Sequence, residues 1–493
     1  MSLKNYIWES FEFPITITSI SCELGRHNFP SDSIIEINRD AELKFIAKVH
    51  GKTNDVNVGE YHHPSHQNKS GEFIEGENIV GYDRNNTKFI LKGCHVKNVS
   101  FAAINDPLFH SYFTLEIRID HLTELLNNNQ DNVECLMEWF LTGRTDILFS
   151  RNTRYYTPEG VRIRKDLDIN IHEDKLSGVN ICWDYMLIKL KEFSFVVQKV
   201  QNGITPSWAN GFVIEYRNSL GKIPSEKNRI AIAEIISFMF GIEFMNIGYS
   251  EFNDNNEIIR RLGRQAYGNN LIARCKNFCM SPIEFPTQRG RIDTEDMLSQ
   301  IVDTYLNLRK DLNLNTVLWK YWLAKNSAIG INLPVLSSAI EGVAESYLKL
   351  HNIIPKPDKE IDKKYKELLK DNSQFIEALK AYGFGKTVIN KIENPYNFGM
   401  GEKLSLFFNS LDIILEKNSI ENEALKSRNK MTHSSSSIDS DDKAKQAIRM
   451  TRAYETLFNR TLLKILGYNG KYIDYYTIGH PERNLSDNID KDV

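Results

Sequence analysis

Short alternating and β-branched runs dominate the first 220 or so residues of the chain. Ile15-Thr-Ile-Thr-Ser-Ile, Glu42-Leu-Lys-Phe-Ile-Ala-Lys-Val, Lys88-Phe-Ile-Leu-Lys, Phe113-Thr-Leu-Glu-Ile-Arg-Ile and Phe193-Ser-Phe-Val-Val-Gln-Lys-Val each place apolar residues at the period of a half-buried strand. Clusters of Asn, Gly, Asp and Pro separate them, as an antiparallel sheet requires. Segment 119–141 reads as a helical interruption. Residues 225–240 carry an N-capping Ser225 and a helical apolar stripe, and more strand-like and loop sequence follows to about residue 290.

Beyond residue 292 the period changes. Thr294–Arg309, Val317–Lys325, Pro334–Leu350, Asp358–Ala381, Glu402–Lys417 and Asp439–Leu466 place apolar residues three and four apart, which predicts helices joined by short connections. Pro334 suits a first helical turn, Gly467 the closure of the last helix, and the run Ser434–Asp442 a loop that also caps that helix. The fold class expected is therefore α+β: a β-rich region over 1–290, with a possible subdivision near 205–225, and a helical bundle over 291–493. At 493 residues the chain exceeds one ordinary core, in keeping with that division.

Composition narrows the setting. A content of 41% hydrophobic and 25% charged residues, with no long uninterrupted apolar stretch, predicts a globular protein without a transmembrane helix. The start of the chain has no charged-then-apolar signal layout, so a cytoplasmic location is expected. The six cysteines are scattered and predict reduced, mostly buried thiols; Cys275 and Cys279 are near each other but no second pair completes a zinc site. A net charge of −3 means that contact with nucleic acid needs a local basic patch.

The chemistry-bearing candidate is Arg428-Asn429-Lys430-Met431-Thr432-His433, predicted to lie at a junction between two bundle helices. An arginine offers a planar, permanently charged fork to a phosphate, and a histidine can take and give a proton near neutral pH. The bland alternative is a salt-bridging arginine and a histidine capping a helix C-terminus. Lys426 and Lys430 flank the pair and can hold adjacent phosphates or serve as solvated helix-face lysines. Glu341 and Glu345 can face the same cleft or simply the solvent. Three other features are weaker. His62, His63 and His66, beside Glu60, have the look of an exposed loop more than of a metal site. Gly383-Phe-Gly385-Lys386-Thr387 lacks the first glycine and the preceding strand of a phosphate-binding loop and reads as a helix end followed by a turn. Arg260, Arg261 and Arg264, with Arg289 and Arg291 and with Tyr267 and Phe278 among them, form either a basic strip that guides RNA or structural salt bridges.

A helical bundle with Arg-polar-x3-His between its last long helices resembles a HEPN domain. The closing segment Leu466-Gly-Tyr-Asn-Gly-Lys-Tyr-Ile-Asp-Tyr-Tyr and the order of a β-rich region before the bundle are similar to the ApeA-like anti-phage defence group. The resemblance covers about residues 295–480; ahead of them it is architectural. It implies a metal-independent endoribonuclease leaving 2′,3′-cyclic phosphate ends, with no cofactor. Arg428 and His433 take the catalytic pair, and Asn429 the polar second position. It also implies RNA as substrate, tRNA being the leading candidate, a phage-derived trigger of abortive infection, and a homodimer that joins two copies of the motif. Two rival readings stand beside it: a non-catalytic HEPN-like RNA- or nucleotide-binding or antitoxin-type protein, and a protein- or carbohydrate-binding β module on an inert helical scaffold.

Overall fold

A computed structural model describes residues 11–22, 33–53, 76–103, 111–126, 132–143, 147, 149–156, 161–164, 169–172, 180–200, 205–265, 271–276, 280–285, 293–354, 359–395, 398–433 and 439–489. The fold is α+β, with a large antiparallel sheet region in the N-terminal half and helices in the C-terminal half. Two compact units emerge. The first comprises Met1–Ala233, Phe240–Cys279 and Phe285–Gln300, and the second Glu234–Met239, Met280–Glu284 and Ile301–Val493.

In the first unit every described strand pair is antiparallel. Strand Lys88–Ala103 links two faces of the network. Its first residues pair with Glu77–Tyr82 and His121–Leu125, and its later ones with Ser111–Ile119. Gly93 lies between the two parts at φ +66°, and a Cβ there would meet Asp120 Oδ2 at 2.5 Å, so glycine alone suits the position. Ile17, Ile37, Val49 and Ile117 from one face meet Ile79, Leu91 and Leu122 from the other in a buried core.

Segment 119–141 is not a helical interruption. It contains strands His121–Leu125 and Cys135–Thr142. All eight residues of the latter are buried, because it runs between Asn210–Arg217 and Met245–Phe252 with both faces covered. A strand so placed loses the polar–apolar alternation and reads as a short helix-like apolar run. Its one acid, Glu138, accepts from Arg229 Nε at 3.0 Å; burial raises the carboxyl pKa, and the arginine opposes that rise. Helix Glu226–Phe240 begins where expected, with the Asn228 amide donating to Ser225 Oγ at 3.4 Å.

In the second unit helix Asn332–Leu350 packs against Leu314–Lys325, Met400–Ser410, Ile420–His433 and Asp441–Ile465. Leu336, Ile340 and Val343 occupy its buried face, and Pro334 sits in its first turn. Tyr321 stacks on Phe458 with ring centroids 5.0 Å apart, and Phe238 meets both edge-on. Ser440 caps the last helix through the Lys443 amide, and Gly467, at φ +74°, follows its end while the Tyr468 amide bonds the Leu463 carbonyl.

Two helical expectations change. The run 358–381 is two helices, Lys359–Asp371 and Ser373–Ala381, broken at Asn372, and the run from 402 ends at Ser410. Gly383 turns the chain, and Lys386 then opens a further helix, Lys386–Glu393, so the turn there is also a helix start.

Candidate functional site

Helix Ile420–His433 carries the hexapeptide as its last six residues. The expected junction turn is therefore helical backbone up to His433; residues 434–438, which lead to the next helix, lie outside the described residues. Good helix formers from Ile420 onward, with Glu421 and Glu423 in the first turn, account for the extension. On a regular helix, positions five apart are separated by about 140° around the axis and ~7.5 Å along it. Positions 428 and 433 thus belong to different faces of one helix. The side chains of Arg428, Asn429, Lys430 and His433 lie outside the description.

The opposite end of this helix is held by a buried ion pair. Arg460, on helix Asp441–Ile465, donates to Glu421 Oε1 at 2.8 Å, and neither side chain is exposed (0%). The same guanidinium gives its Nε–H to the Leu485 carbonyl at 2.5 Å and lies 5.8 Å from the centroid of Tyr472, whose hydroxyl pKa is raised by burial. Farther along the C-terminal segment Asp474 accepts from Arg483 Nε at 2.8 Å. The first turn of the motif helix is thereby tied to the final helix and to the segment after it. A lone arginine on the apolar stripe of 441–465 was the available sequence signal for this pair.

Between helices Met400–Ser410 and Ile420–His433 lies a cleft of about 340 Å³. Leu404, Phe408 and Ile413 are buried at its base, Leu425 is half-buried, and exposed Lys426 stands at its rim two residues before Arg428. Of the sequence-predicted site residues, Lys426 is the one whose side chain is described. It makes no ion pair or hydrogen bond among the described residues.

The other candidates are taken up by structure or fall outside it. Glu341 accepts from Ser337 Oγ at 3.1 Å, and Glu345 is paired with Lys403 at 2.7 Å across to helix Met400–Ser410. Arg260 is paired with Glu251, Arg261 with Glu124 at 2.9 Å, and Arg264 with Glu226 at 3.8 Å. These three arginines therefore serve as structural ion pairs within the sheet unit. Tyr267, Phe278, Arg289 and Arg291 lie outside the described residues, as do Glu60, His62, His63 and His66. Among the described residues no group of three or more His, Cys, Asp or Glu side chains is arranged to hold a metal. Cys94, Cys135 and Cys275 are buried thiols and Cys182 is a half-buried one, none of them in a disulfide, whereas the side chains of Cys22 and Cys279 are outside the description. Burial pushes the thiols of Cys135 and Cys275 up to about 12, which makes them unreactive at neutral pH. No described helix is long and apolar enough to cross a membrane.

Comparison with protein-family models, curated proteins and solved structures found no match to this chain.

Proposed function

We propose that the chain is a metal-independent endoribonuclease whose catalytic groups are Arg428 and His433, assisted by Asn429. The observation that carries the reading is an Arg-Asn-x3-His sequence ending a bundle helix whose first turn is anchored by a buried ion pair. The chemistry suits these residues. The RNA 2′-hydroxyl attacks the adjacent phosphorus as His433 accepts its proton, a 2′-oxygen–phosphorus bond forms, and the phosphorus–5′-oxygen bond breaks. Arg428 stabilises the negative charge on the non-bridging oxygens, and Asn429 orients one of them. The departing 5′-oxygen needs a proton from a second acid, leaving a 2′,3′-cyclic phosphate.

A single histidine does not supply base and acid at once, and positions 428 and 433 belong to different faces of one helix. Both facts favour a site completed by a second copy of the chain. By the resemblance to the ApeA-like HEPN group, the setting is anti-phage abortive infection, with tRNA the leading substrate and a phage-derived trigger sensed by the β-rich half.

The test incubates purified wild type, Arg428→Ala and His433→Ala with total RNA in EDTA and maps the ends. Cleavage with cyclic phosphate ends by wild type alone is the expected result. Equal cleavage by all three proteins overturns the site. Toxicity of the same variants during phage infection covers a latent enzyme, and light scattering at micromolar concentration should give a dimer.

A further inference from the structure

We propose that the cleft between helices Met400–Ser410 and Ile420–His433 is a pocket for one unpaired nucleotide of the RNA. Its volume, about 340 Å³, is at the low end of small-molecule sites, which run from ~300 to 1,000 Å³. The size suits a single base with its phosphate and excludes a duplex.

The lining has the two halves that such a ligand needs. Leu404, Phe408 and Ile413 give an apolar base, walled by Leu415 and Leu425, against which a flat base can bury its faces. Around the rim stand the Ser405 hydroxyl, the Asn409 carboxamide and the Lys426 ammonium. All three are exposed, and none makes a side-chain hydrogen bond or ion pair among the described residues. A fourth polar group, Asn422, spends its amide hydrogens on the carbonyls of Glu416 and Lys417 at 3.2 and 3.1 Å, so it offers the cleft an acceptor oxygen. The lining holds no carboxylate, and Lys426 therefore gives the rim a positive charge.

An anionic ligand with a planar apolar body and hydrogen-bonding edges fits this set: Lys426 takes the phosphate, and Asn409 and Asn422 read base edges. Lys426 lies on the motif helix itself, but residues two apart on a helix point to nearly opposite sides, so a phosphate on Lys426 belongs to a nucleotide other than the one gripped by Arg428. The choice of RNA over a free nucleotide rests on the ribonuclease reading above; the pocket itself rests on its lining.

The full-length protein is titrated with AMP, GMP, CMP and UMP, followed by ligand-observed NMR, with ribose 5-phosphate and inorganic phosphate as controls. At least one nucleotide should bind saturably and more tightly than ribose 5-phosphate. Lys426→Ala should weaken it tenfold or more. Gly401→Phe should do the same by filling the mouth, because a Cβ at Gly401 meets nothing within 4 Å and the substitution leaves the helix free to form. Asn409→Ala serves as a second variant on an exposed position. The pocket is refuted when none of the four nucleotides binds, when ribose 5-phosphate binds as well as they do, or when Gly401→Phe and Lys426→Ala both bind like wild type. Nucleotide binding by a protein that fails to cut RNA upholds the pocket and removes the ribonuclease, so the two failures are distinguishable.

Discussion

Replacing Arg460 with methionine tests how the motif helix is held. Arg460 and Glu421 are both fully buried, 2.8 Å apart, and the same guanidinium satisfies the Leu485 carbonyl. Arg460→Met therefore leaves a buried carboxylate without its guanidinium and a carbonyl without its donor. Breaking a buried pair from one side costs about 3–5 kcal/mol. At 1.4 kcal/mol per factor of ten, this corresponds to an increase of about one hundred- to several thousand-fold in the opening of the helices it joins. Removing both partners together, in Arg460→Met/Glu421→Leu, eliminates the stranded charge and should recover most of the loss, since well-packed apolar groups often replace such pairs at little cost. Amide hydrogen exchange over 420–433 and 441–465 measures the opening locally, which avoids treating a two-unit chain as two-state. RNA cleavage should fall in the single variant and return in the double. A cost below about 1 kcal/mol for Arg460→Met, or a double variant as unstable as the single, refutes the account of this pair as the anchor of the motif helix.

Other outcomes follow from single positions. Gly467→Ala should cost about 1 kcal/mol by thermal unfolding, because φ is +74° but a Cβ meets nothing within 4 Å. Gly248→Ala should cost on the order of 3 kcal/mol, since its φ of +147° is joined by a Cβ only 2.0 Å from the Leu262 carbonyl oxygen; equal shifts for the two glycines would contradict the contact. Ser440→Ala should lower the stability of the last helix by about 1 kcal/mol, seen as faster exchange at its N-terminus, whereas Ser440→Asp should retain it. For Cys135 and Cys275, a pKa raised to about 12 from 9.0 means about a thousandfold less thiolate at pH 8. Alkylation of the folded protein should then be negligible at these two sites and rise tenfold per pH unit, and rapid native-state labelling at pH 8 would show that they are not buried as described.

Much of the architecture was legible because it depends on local period and end chemistry. Ile15–Ile17, Lys88–Lys92 and Ser111–Ile119 alternate because one face meets the core; Ser225 and Ser440 mark helix starts through hydroxyl oxygens that accept nearby backbone amides, and Gly467 marks a helix end through its left-handed backbone. Cys135–Thr142 was misread because burial on both faces erases the alternation that marks a strand. Asn372 ends a helix inside a run whose apolar phase is kept, since Phe375 and Ile376 follow Leu368 and Leu369 by seven residues; the polar Asp371–Gln374 between them was the signal of the break. The arginines at 260, 261 and 264 carry the same charges whether they face RNA or carboxylates. Strand pairing brings Glu251 to Arg260 across a hairpin and Glu124 to Arg261 from 137 residues away.

The candidate site divides in the same way. The sequence by itself determined the residue types Arg428, Asn429 and His433, their spacing, and the helix-forming lead from Ile420, since these are properties of adjacent positions. Tertiary structure decided that Glu421 meets Arg460 from 39 residues away, and that Leu404, Phe408 and Lys426 share one cleft. Such features arise from the packing of separate helices, and a linear pattern holds the period of each helix but not which faces come together.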